Sequence, residues 1–317
     1  MTPKPAQLPL VPAAKTGWPW TDACCDPSRT SGERPWPRIS VVTPSYNQGE
    51  FLEQTIRSVL LQDYPDIEYL IIDGGSRDNS PDIIRRYEPW LGYWVSEADR
   101  GQSHAINKGL QRATGDIVCW LNSDDYLAPN ALLRVGEFFR DHEATDVLVG
   151  RAEILDANGR TVQTREAPQA MSGAVFIDWS NNWFAQQGTF WRRRVHDRIG
   201  WLREELHYVM DMELWWRMFA NGCEFAATHD VLGVYRWHDS AKCQHTPWKV
   251  ALEIGVVLGE REGQNVSAWW PHYRAQLDDA FKHAISRELD GAEGRKPSQR
   301  RDRFRRKLRS VLQAVGL

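Results

Sequence analysis

Residues 116–129, DIVCWLNSDDYLAP, carry an apolar run straight into two adjacent acids, Asp124 and Asp125, before the chain restarts with Tyr126 and Leu127. Neighbouring carboxylates repel unless water, a cation or a cationic group answers their charge. Two readings fit. In one, the stretch is a turn whose acid caps a helix starting near Pro129, which accounts for one carboxylate better than for two. In the other, a buried strand ends at a site for Mg²⁺ or Mn²⁺. These ions prefer oxygen ligands and complete their shells with substrate phosphates.

The second reading needs other strands to end nearby, and the upstream sequence supplies them. From Arg38, ISVVTPSY reads as a buried strand ending at Pro44. FLEQTIRSVL follows, with Leu52, Ile56, Val59 and Leu60 on one helical face. IEYLII, 67–72, is a second strand closed by Asp73-Gly74-Gly75-Ser76. Ser80 and Pro81 suit the N-cap and first position of a helix striped by Ile83, Ile84 and Tyr87. YWVSE gives a short third strand, a helix spans Ser103–Arg112 and stops near Gly115, and DIVCWL is the fourth strand. Strands alternating with helices at this spacing imply a mainly parallel sheet with helices on both faces. Beyond it, VLVGRAEILDANGRTVQT suggests added antiparallel strands around an Asn158-Gly159 turn. Leu214, Trp215, Met218 and Phe219 form a helical stripe closed by Asn221-Gly222, and EFAATHDVLGVYRWH reads as strand and loop. Two more helices are expected, near 247–260 and 268–289.

Open α/β sheets bind ligands beyond the carboxyl ends of their strands. Here those ends carry Thr43-Pro44-Ser45-Tyr46-Asn47, then Asp73 and Asp78, then Glu97 and Asp99, then Asn122, Asp124 and Asp125. Turn chemistry explains each alone, and one shared crevice explains all four. Neither G-x-G-x-x-G nor G-x-x-x-x-G-K-[ST] occurs, so a bound diphosphate calls for a metal rather than a glycine nest alone. Downstream, Asp211 and Glu213 open a helix in MDMELWW. Negative charge is favoured there by the free N–H groups, which suits an acid that accepts a proton and equally suits a plain cap. Gln186-Gln187-Gly188 and His238 complete the polar candidates. His238 reads as a metal ligand or as a surface histidine.

The chain has 317 residues, 42% hydrophobic and 26% charged, as expected for one large globular α/β unit with additions. No apolar run approaches the ~20 residues of a membrane span. The start, MTPKPAQLPLVPAAK, is broken by prolines and reads as a flexible leader rather than a signal peptide. Residues 1–37 form an extended arm, and Trp18, Trp20 and Trp36 suggest that part of it packs on the domain. Cys24, Cys25, Cys119, Cys223 and Cys243 form no C-x-x-C pair. A reduced cytoplasmic compartment is expected, with neither a zinc site nor a disulfide scaffold. From Arg295 to Arg309 the chain holds nine Lys/Arg and one Asp, although its formal net charge is −3. Phe304, Leu308, Val311, Leu312 and Val315 share a helical face in this tail. An interfacial helix on anionic lipid fits, as do a solvated or protein-contacting tail and a nucleic-acid contact.

Seven blocks in order support a family resemblance: VVTPSYNQGEFLEQTIRSVLLQDYP, IEYLIIDGGSRDNS, SEADRGQSHAINKGL, GDIVCWLNSDDYL, QQGTFWRR, MDMELWWR and YRWHDSAKC. The chain resembles the family 2 glycosyltransferases, whose GT-A fold is a Rossmann-like nucleotide-sugar-binding domain. The resemblance covers roughly residues 38–243, which we take as the core. Helices over 244–290 are expected to pack on it, followed by a basic amphipathic tail, 291–317.

The resemblance implies sugar transfer from a nucleotide diphosphate sugar to a hydroxyl acceptor, metal-dependent and inverting. It places Thr43, Pro44, Tyr46 and Asn47 along the nucleotide pocket, Asp73 near the base or ribose, and Asp99 at its border. Asp124 would hold Mn²⁺ or Mg²⁺, with His238 completing the site, and Asp125 and Gln187 would lie near the sugar. Asp211 would be the catalytic base, supported by Glu213. A saccharide or lipid-linked acceptor in cell-surface polysaccharide or glycolipid synthesis is implied. So is a cytoplasmic protein, peripheral on the inner membrane face through its tail, with no nucleic acid expected. Three departures stand out. Gly74 replaces the second acid that many members carry after the second strand. Asn122 replaces the first acid of D-x-D, leaving fewer negative ligands unless it contacts the sugar. Ile106-Asn107 stands where many members have Arg-Asn. A nucleotidyltransferase, or a catalytically silent nucleotide-sugar-binding module, remains an alternative.

Overall fold

The computed structural model describes residues 5–12, 14–22, 24, 35–168, 185–238, 242 and 247–259. The expected helix over 268–289, the basic tail, Cys25, Cys243 and residues 169–184 lie outside the described residues. The chain divides into two compact units, Met1–His238 and Asp239–Leu317.

In the first unit the described strands are β1 (Ile39–Ser45), β2 (Ile67–Asp73), β3 (Tyr93–Ser96), β4 (Ile117–Trp120), β5 (Tyr126–Leu127), β6 (Val147–Leu155), β7 (Thr161–Arg165), β8 (Thr189–Arg192) and β9 (Phe225–Arg236). The helices are α1 (Gly49–Leu60), α2 (Ser80–Tyr87), α3 (Gln102–Arg112), α4 (Ala131–Asp141), α5 (His196–Ile199) and α6 (Met210–Ala220), and the second unit contributes α7 (Pro247–Gly259). All nine strands join one sheet in the order β3-β2-β1-β4-β8-β6-β9-β5, with β7 on β6. β3, β2, β1 and β4 run parallel. The other half is mixed: β8 is antiparallel to β4 and β6, β7 to β6 and β5 to β9, while β6 and β9 run parallel. The added half is thus as extensive as the parallel core, and it is mixed rather than antiparallel throughout, because β6 and β9 run parallel. Two helix starts move slightly from expectation. Asn79 rather than Ser80 caps α2, and α4 begins two residues after Pro129, with Asn130 in the left-handed region at φ 60°.

Every residue of β1 is buried, as a continuous apolar run predicts for a strand covered on both faces. Leu52, Ile56, Val59 and Leu60 of α1 are buried against the sheet, as their spacing requires. The arm packs within the same unit. Leu8, Trp20 and Cys24 are buried, and Arg57 of α1 is fully enclosed beneath them. Its guanidinium donates to the carbonyls of Pro9, Pro19 and Trp20 at 3.1–3.3 Å and to the Tyr87 hydroxyl at 3.3 Å. A buried cation costs heavily unless each donor is answered, so arm and core are mutually required.

Aromatic packing fixes α6. Trp215 stacks on Trp120 of β4 with centroids 5.4 Å apart and planes 9° apart, and Trp191 of β8 meets both edge-on. Trp191 donates its indole N–H to His196 Nε2 at 3.0 Å, and His196 Nδ1 lies 2.8 Å from the Gly200 carbonyl. The ring is therefore neutral, with its proton on Nδ1. Burial is the main force that depresses its pKa from 6.5 to about 4, with the charge of Arg217 adding to it. Between these values the unfolded chain takes up a proton that the folded chain refuses, so this contribution to stability is full above pH 6.5 and is lost as pH falls towards 4. The linkage amounts to roughly 3 kcal/mol. In urea titrations, wild-type protein should lose more stability between pH 7 and pH 4 than His196→Gln; parallel pH profiles would contradict the buried neutral imidazole.

Candidate active site

The DIVCWL strand delivers the chain to Asn122 and the acid pair at the carboxyl end of β4. Asp125 is fully buried. Its Oδ2 accepts from Gln187 Nε2 at 2.6 Å and Asn122 Nδ2 at 3.3 Å, and its Oδ1 accepts from the Arg236 backbone N–H at 3.1 Å. Burial first, then the charge of Asp124, pushes this carboxyl well above the usual range, while Gln187 and Arg236 pull the other way. Asn122 is a donor here, whereas an aspartate in its place would set a third carboxylate against the pair. Asp124 turns towards His238, whose Nε2 lies 3.2 Å from Asp124 Oδ2. Neither acid caps α4, so the turn-and-cap alternative does not describe the pair.

Arg236 answers the charge. Its Nε donates to the Asp124 carbonyl and its Nη1 to Gln54 Oε1 at 2.9 Å, and the guanidinium lies 5.0 and 5.2 Å from the ring centroids of Phe51 and Tyr126. Sequence reading passed over Arg236 and Gln102, and it named Gln186 as a polar candidate without giving it a role. The last two bracket Asn122: Gln102 Nε2 donates to its Oδ1 at 2.9 Å and Gln186 Oε1 accepts from its Nδ2 at 3.3 Å. A signal for Arg236 was present. Strand residues two apart share a face, so R-x-H at 236–238 puts a guanidinium and an imidazole on the same side.

The backbone of the acid turn is held from three directions. Thr55, Ser58 and Gln62 form a buried polar stripe on and just beyond α1. Thr55 Oγ1 meets the carbonyls of Ser123 and Asp125 at 2.8 and 2.6 Å, Ser58 Oγ accepts from Leu127 N, and Gln62 bonds Ala128 O and Leu132 N. From the arm, Trp18 Nε1 donates to the Leu127 carbonyl at 2.8 Å and Cys24 Sγ accepts from Asn130 N. From the far side, β9 pairs Val234 with Tyr126. Gly233 lets the Gln186–Gly188 turn approach, since a Cβ there would sit 2.5 Å from the Gln187 carbonyl oxygen.

The remaining expected site residues divide. Thr43 and Pro44 are buried within β1, and the Thr43 hydroxyl lies 3.0 Å from that of Tyr69. Tyr46 is 60% exposed. Asn47 donates its N–H to Ser76 Oγ and accepts from Arg77 N, stitching the ends of β1 and β2 together. Ser45 Oγ is buried without a hydrogen-bond partner among the described residues. Asp73, expected near the base or ribose, points inward. It is fully buried and accepts from Gly75 N, Ser76 N, Ser76 Oγ and Ser96 Oγ, so it shapes the strand ends. Asp99 stays at the border of that cluster, beside Gly74.

Asp211 lies in the first turn of α6, half-buried, with Met212 N donating to its Oδ1 at 2.8 Å. Glu213 is buried and engaged by both arms of Arg217 at 2.8 Å, and Arg217 also donates to the Ile199 and Trp201 carbonyls. Ser103 and Asn107 of α3 bond Leu206 and Leu202, and Arg100 pairs with Glu204, tying the approach to α6 to the rim where β3 ends. Asn122, Asp124, Asp125, Gln187 and His238 are thus joined directly, while Asp211 opens the helix that the tryptophan stack sets against β4 and β8.

Asp124 and His238 fit a divalent ion in part. A carboxylate and an imidazole face each other, but no group of three or more His, Cys, Asp or Glu side chains able to hold a metal occurs among the described residues. Two protein donors suit an ion whose shell the donor's phosphates complete.

The chain is similar to known proteins in sequence and in fold. The model of the family described as glycosyl transferase family 2 matches residues 40–203, just over half of the chain. A Bacillus subtilis glycosyltransferase provisionally assigned to teichuronic acid biosynthesis, TuaG, is 36% identical over 230 residues, 71% of this chain and 89% of its own length. An uncharacterized glycosyltransferase of Nostoc sp. is 31% identical over 59% of this chain, and the match spans only 58% of that relative's length. Among solved structures, Staphylococcus aureus TarS 1–349 superposes with a TM-score of 0.57 at 21% identity, covering 88% of this chain and 81% of that one. A mannosyltransferase of Pyrobaculum calidifontis, in complex with GDP-Man and Mn²⁺, gives 0.55 at 22% identity, covering 87% and 84%.

Removing the guanidinium leaves Asp125 buried and less compensated. Arg236→Met should lower unfolding free energy by about 3 kcal/mol in urea titration at neutral pH. A loss below about 1 kcal/mol, the worth of an exposed ion pair, would mean that the guanidinium does not hold the turn.

Proposed function

The chain belongs to glycosyltransferase family 2, with a GT-A fold, and on that premise we propose that it transfers a sugar from a nucleotide diphosphate sugar to a hydroxyl acceptor in cell-surface glycan synthesis. The observation that carries this reading is the Asp124–His238 pair at the end of β4, 3.2 Å apart and backed by the Asp125–Gln187–Arg236 network. The relative named for teichuronic acid biosynthesis supports the glycan class, and the mannosyltransferase structure in complex with GDP-Man and Mn²⁺ supports the donor class.

In this mechanism the donor's diphosphate lies at Asp124 and His238, and a divalent ion held there would offset the negative charge of the departing nucleotide. Tyr46 and Asn47 border the nucleotide, while Asp73 sets the strand ends that shape its pocket. Gln187 and Asn122 fix Asp125, whose enclosed carboxylate holds the turn beside the sugar. Asp211 takes the proton from the acceptor hydroxyl as its oxygen attacks the anomeric carbon, and the nucleotide leaves from the opposite face. One direct displacement of this kind inverts the configuration. Glu213 supports Asp211 through Arg217, which anchors the first turns of α6 to the 199–201 carbonyls. A saccharide or lipid-linked acceptor suits this chemistry, and the basic tail is the element to examine for contact with an anionic membrane. No helix among the described residues is long and apolar enough to cross one.

Two substitutions separate the roles. Asp211→Asn should slow transfer by about 10²–10⁴-fold, the usual worth of a general base, while donor affinity stays near normal. Turnover close to wild type would remove Asp211 from this role. Asp124→Asn should weaken Mn²⁺-dependent donor binding roughly ten- to a hundredfold in calorimetry. Equal binding with and without Mn²⁺ in both proteins would contradict a metal-held diphosphate.

A further inference from the structure

Gly74 is the position at which the chain departs from the acid common after the second strand. Its φ is not positive, so backbone conformation does not demand glycine. A Cβ built there would instead lie 2.5 Å from Asp99 Oδ2 and 3.0 Å from Asp99 Cγ. The carboxylate of Asp99 therefore fills the space that a side chain at 74 would enter. The two loops are locked in this arrangement. Glu97 N donates to the Asp73 carbonyl, Ser96 Oγ donates to the Asp73 carboxylate, and Gly74 N donates to the Ser45 carbonyl. Asp99 Oδ1 accepts from Gly101 N at 2.7 Å, whereas Oδ2 has no hydrogen-bond partner among the described residues. Asp73 is spent on four internal donors and Glu97 pairs with Lys108, which leaves the half-buried Asp99 with an unengaged oxygen at this end of the sheet.

From this geometry we infer that the missing acid of the second strand has been relocated to Asp99, which reads the nucleobase of the donor by accepting a ring N–H. The inference rests on the nucleotide-sugar reading above. The sheet order places β1, β2 and β3 successively beyond β4. A nucleotide with its phosphates at Asp124 and its length along the strand ends carries its base over β2 and β3, two to three strand spacings of about 4.8 Å away. A carboxylate only accepts hydrogen bonds. It therefore selects bases with a ring N–H on the hydrogen-bonding edge, uracil, thymine or guanine. Cytosine and adenine present an acceptor nitrogen at the equivalent place. Gly74 is then a specificity residue in its own right, since any side chain there displaces the Asp99 carboxylate.

Calorimetry with UDP, GDP, CDP and ADP, each with Mn²⁺, tests this in wild type, Asp99→Asn and the double variant Gly74→Asp/Asp99→Ala, whose alanine vacates the space that a side chain at 74 needs. Asp99→Asn is nearly isosteric and keeps an acceptor for Gly101 N, so its fold should be retained, as a thermal melt will verify. UDP or GDP should bind wild type at least tenfold more tightly than CDP and ADP. Asp99→Asn should lose about ten- to a hundredfold for the preferred nucleotide and change little for CDP and ADP. The double variant, with the acid returned to position 74, should regain at least about tenfold of that loss. Unchanged binding in Asp99→Asn, an equal loss for all four nucleotides, or a folded double variant that stays weak would overturn the relocation while leaving sugar transfer intact. Failure of wild type to bind any nucleotide, including a panel of nucleotide sugars, would overturn both readings.

Discussion

A single buried charge arrangement governs this molecule: Arg236 set against the consecutive acids Asp124 and Asp125. Two carboxylates on adjacent residues, one of them without solvent access, would relax into water if nothing held them. Arg236 holds them by three routes at once. Its backbone N–H reaches Asp125, its Nε reaches the Asp124 carbonyl, and its positive charge lies within the same enclosure. With Asp125 fixed inward, Asp124 is left to face His238. The geometry thus divides two chemically identical side chains into one that is enclosed and organises the turn and one that stays partly exposed beside His238.

The rest of the fold serves that division. The parallel half supplies loops from four successive strand ends, which is where such sheets hold ligands. The mixed half supplies the opposing groups: β9 brings Arg236 and leads into His238, and the turn before β8 brings Gln187. Residues more than a hundred positions apart in the chain therefore meet within hydrogen-bond distance. The arm adds a further layer, because it covers Arg57 and bonds the segment that follows the acids. The arm whose tryptophans suggested packing on the domain is thus part of the support for the site.

The strands and helices of the parallel half were legible because their patterns are local. ISVVTPSY and IEYLII are short apolar runs bounded by turns, and the stripes of α1 and α2 repeat at helical spacing. The acid pair was legible because it breaks an apolar run. The partners of those acids were harder to see. Arginine is usually solvated, so Arg57 and Arg236 gave no composition signal for their enclosed positions, and only the two-residue spacing to His238 hinted at the second. Asp73 illustrates the opposite limit. An acid at a strand end reads as a ligand contact, but four nearby donors, three of them from Gly75 and Ser76, turn it inward. Glu213 is similar, since its helical partner Arg217 one turn later claims both oxygens. Sequence marks where polar groups occur, while the direction each one faces depends on contacts distant along the chain.

The most direct measurement is a crystal structure of the protein with a nucleoside diphosphate and Mn²⁺, with the ion located by its anomalous scattering. The account places the manganese peak about 2 Å from an Asp124 oxygen, bridging to both phosphates. An ordered nucleotide whose phosphates lie away from the end of β4, or a manganese peak bound elsewhere with Asp124 uncoordinated, would contradict it.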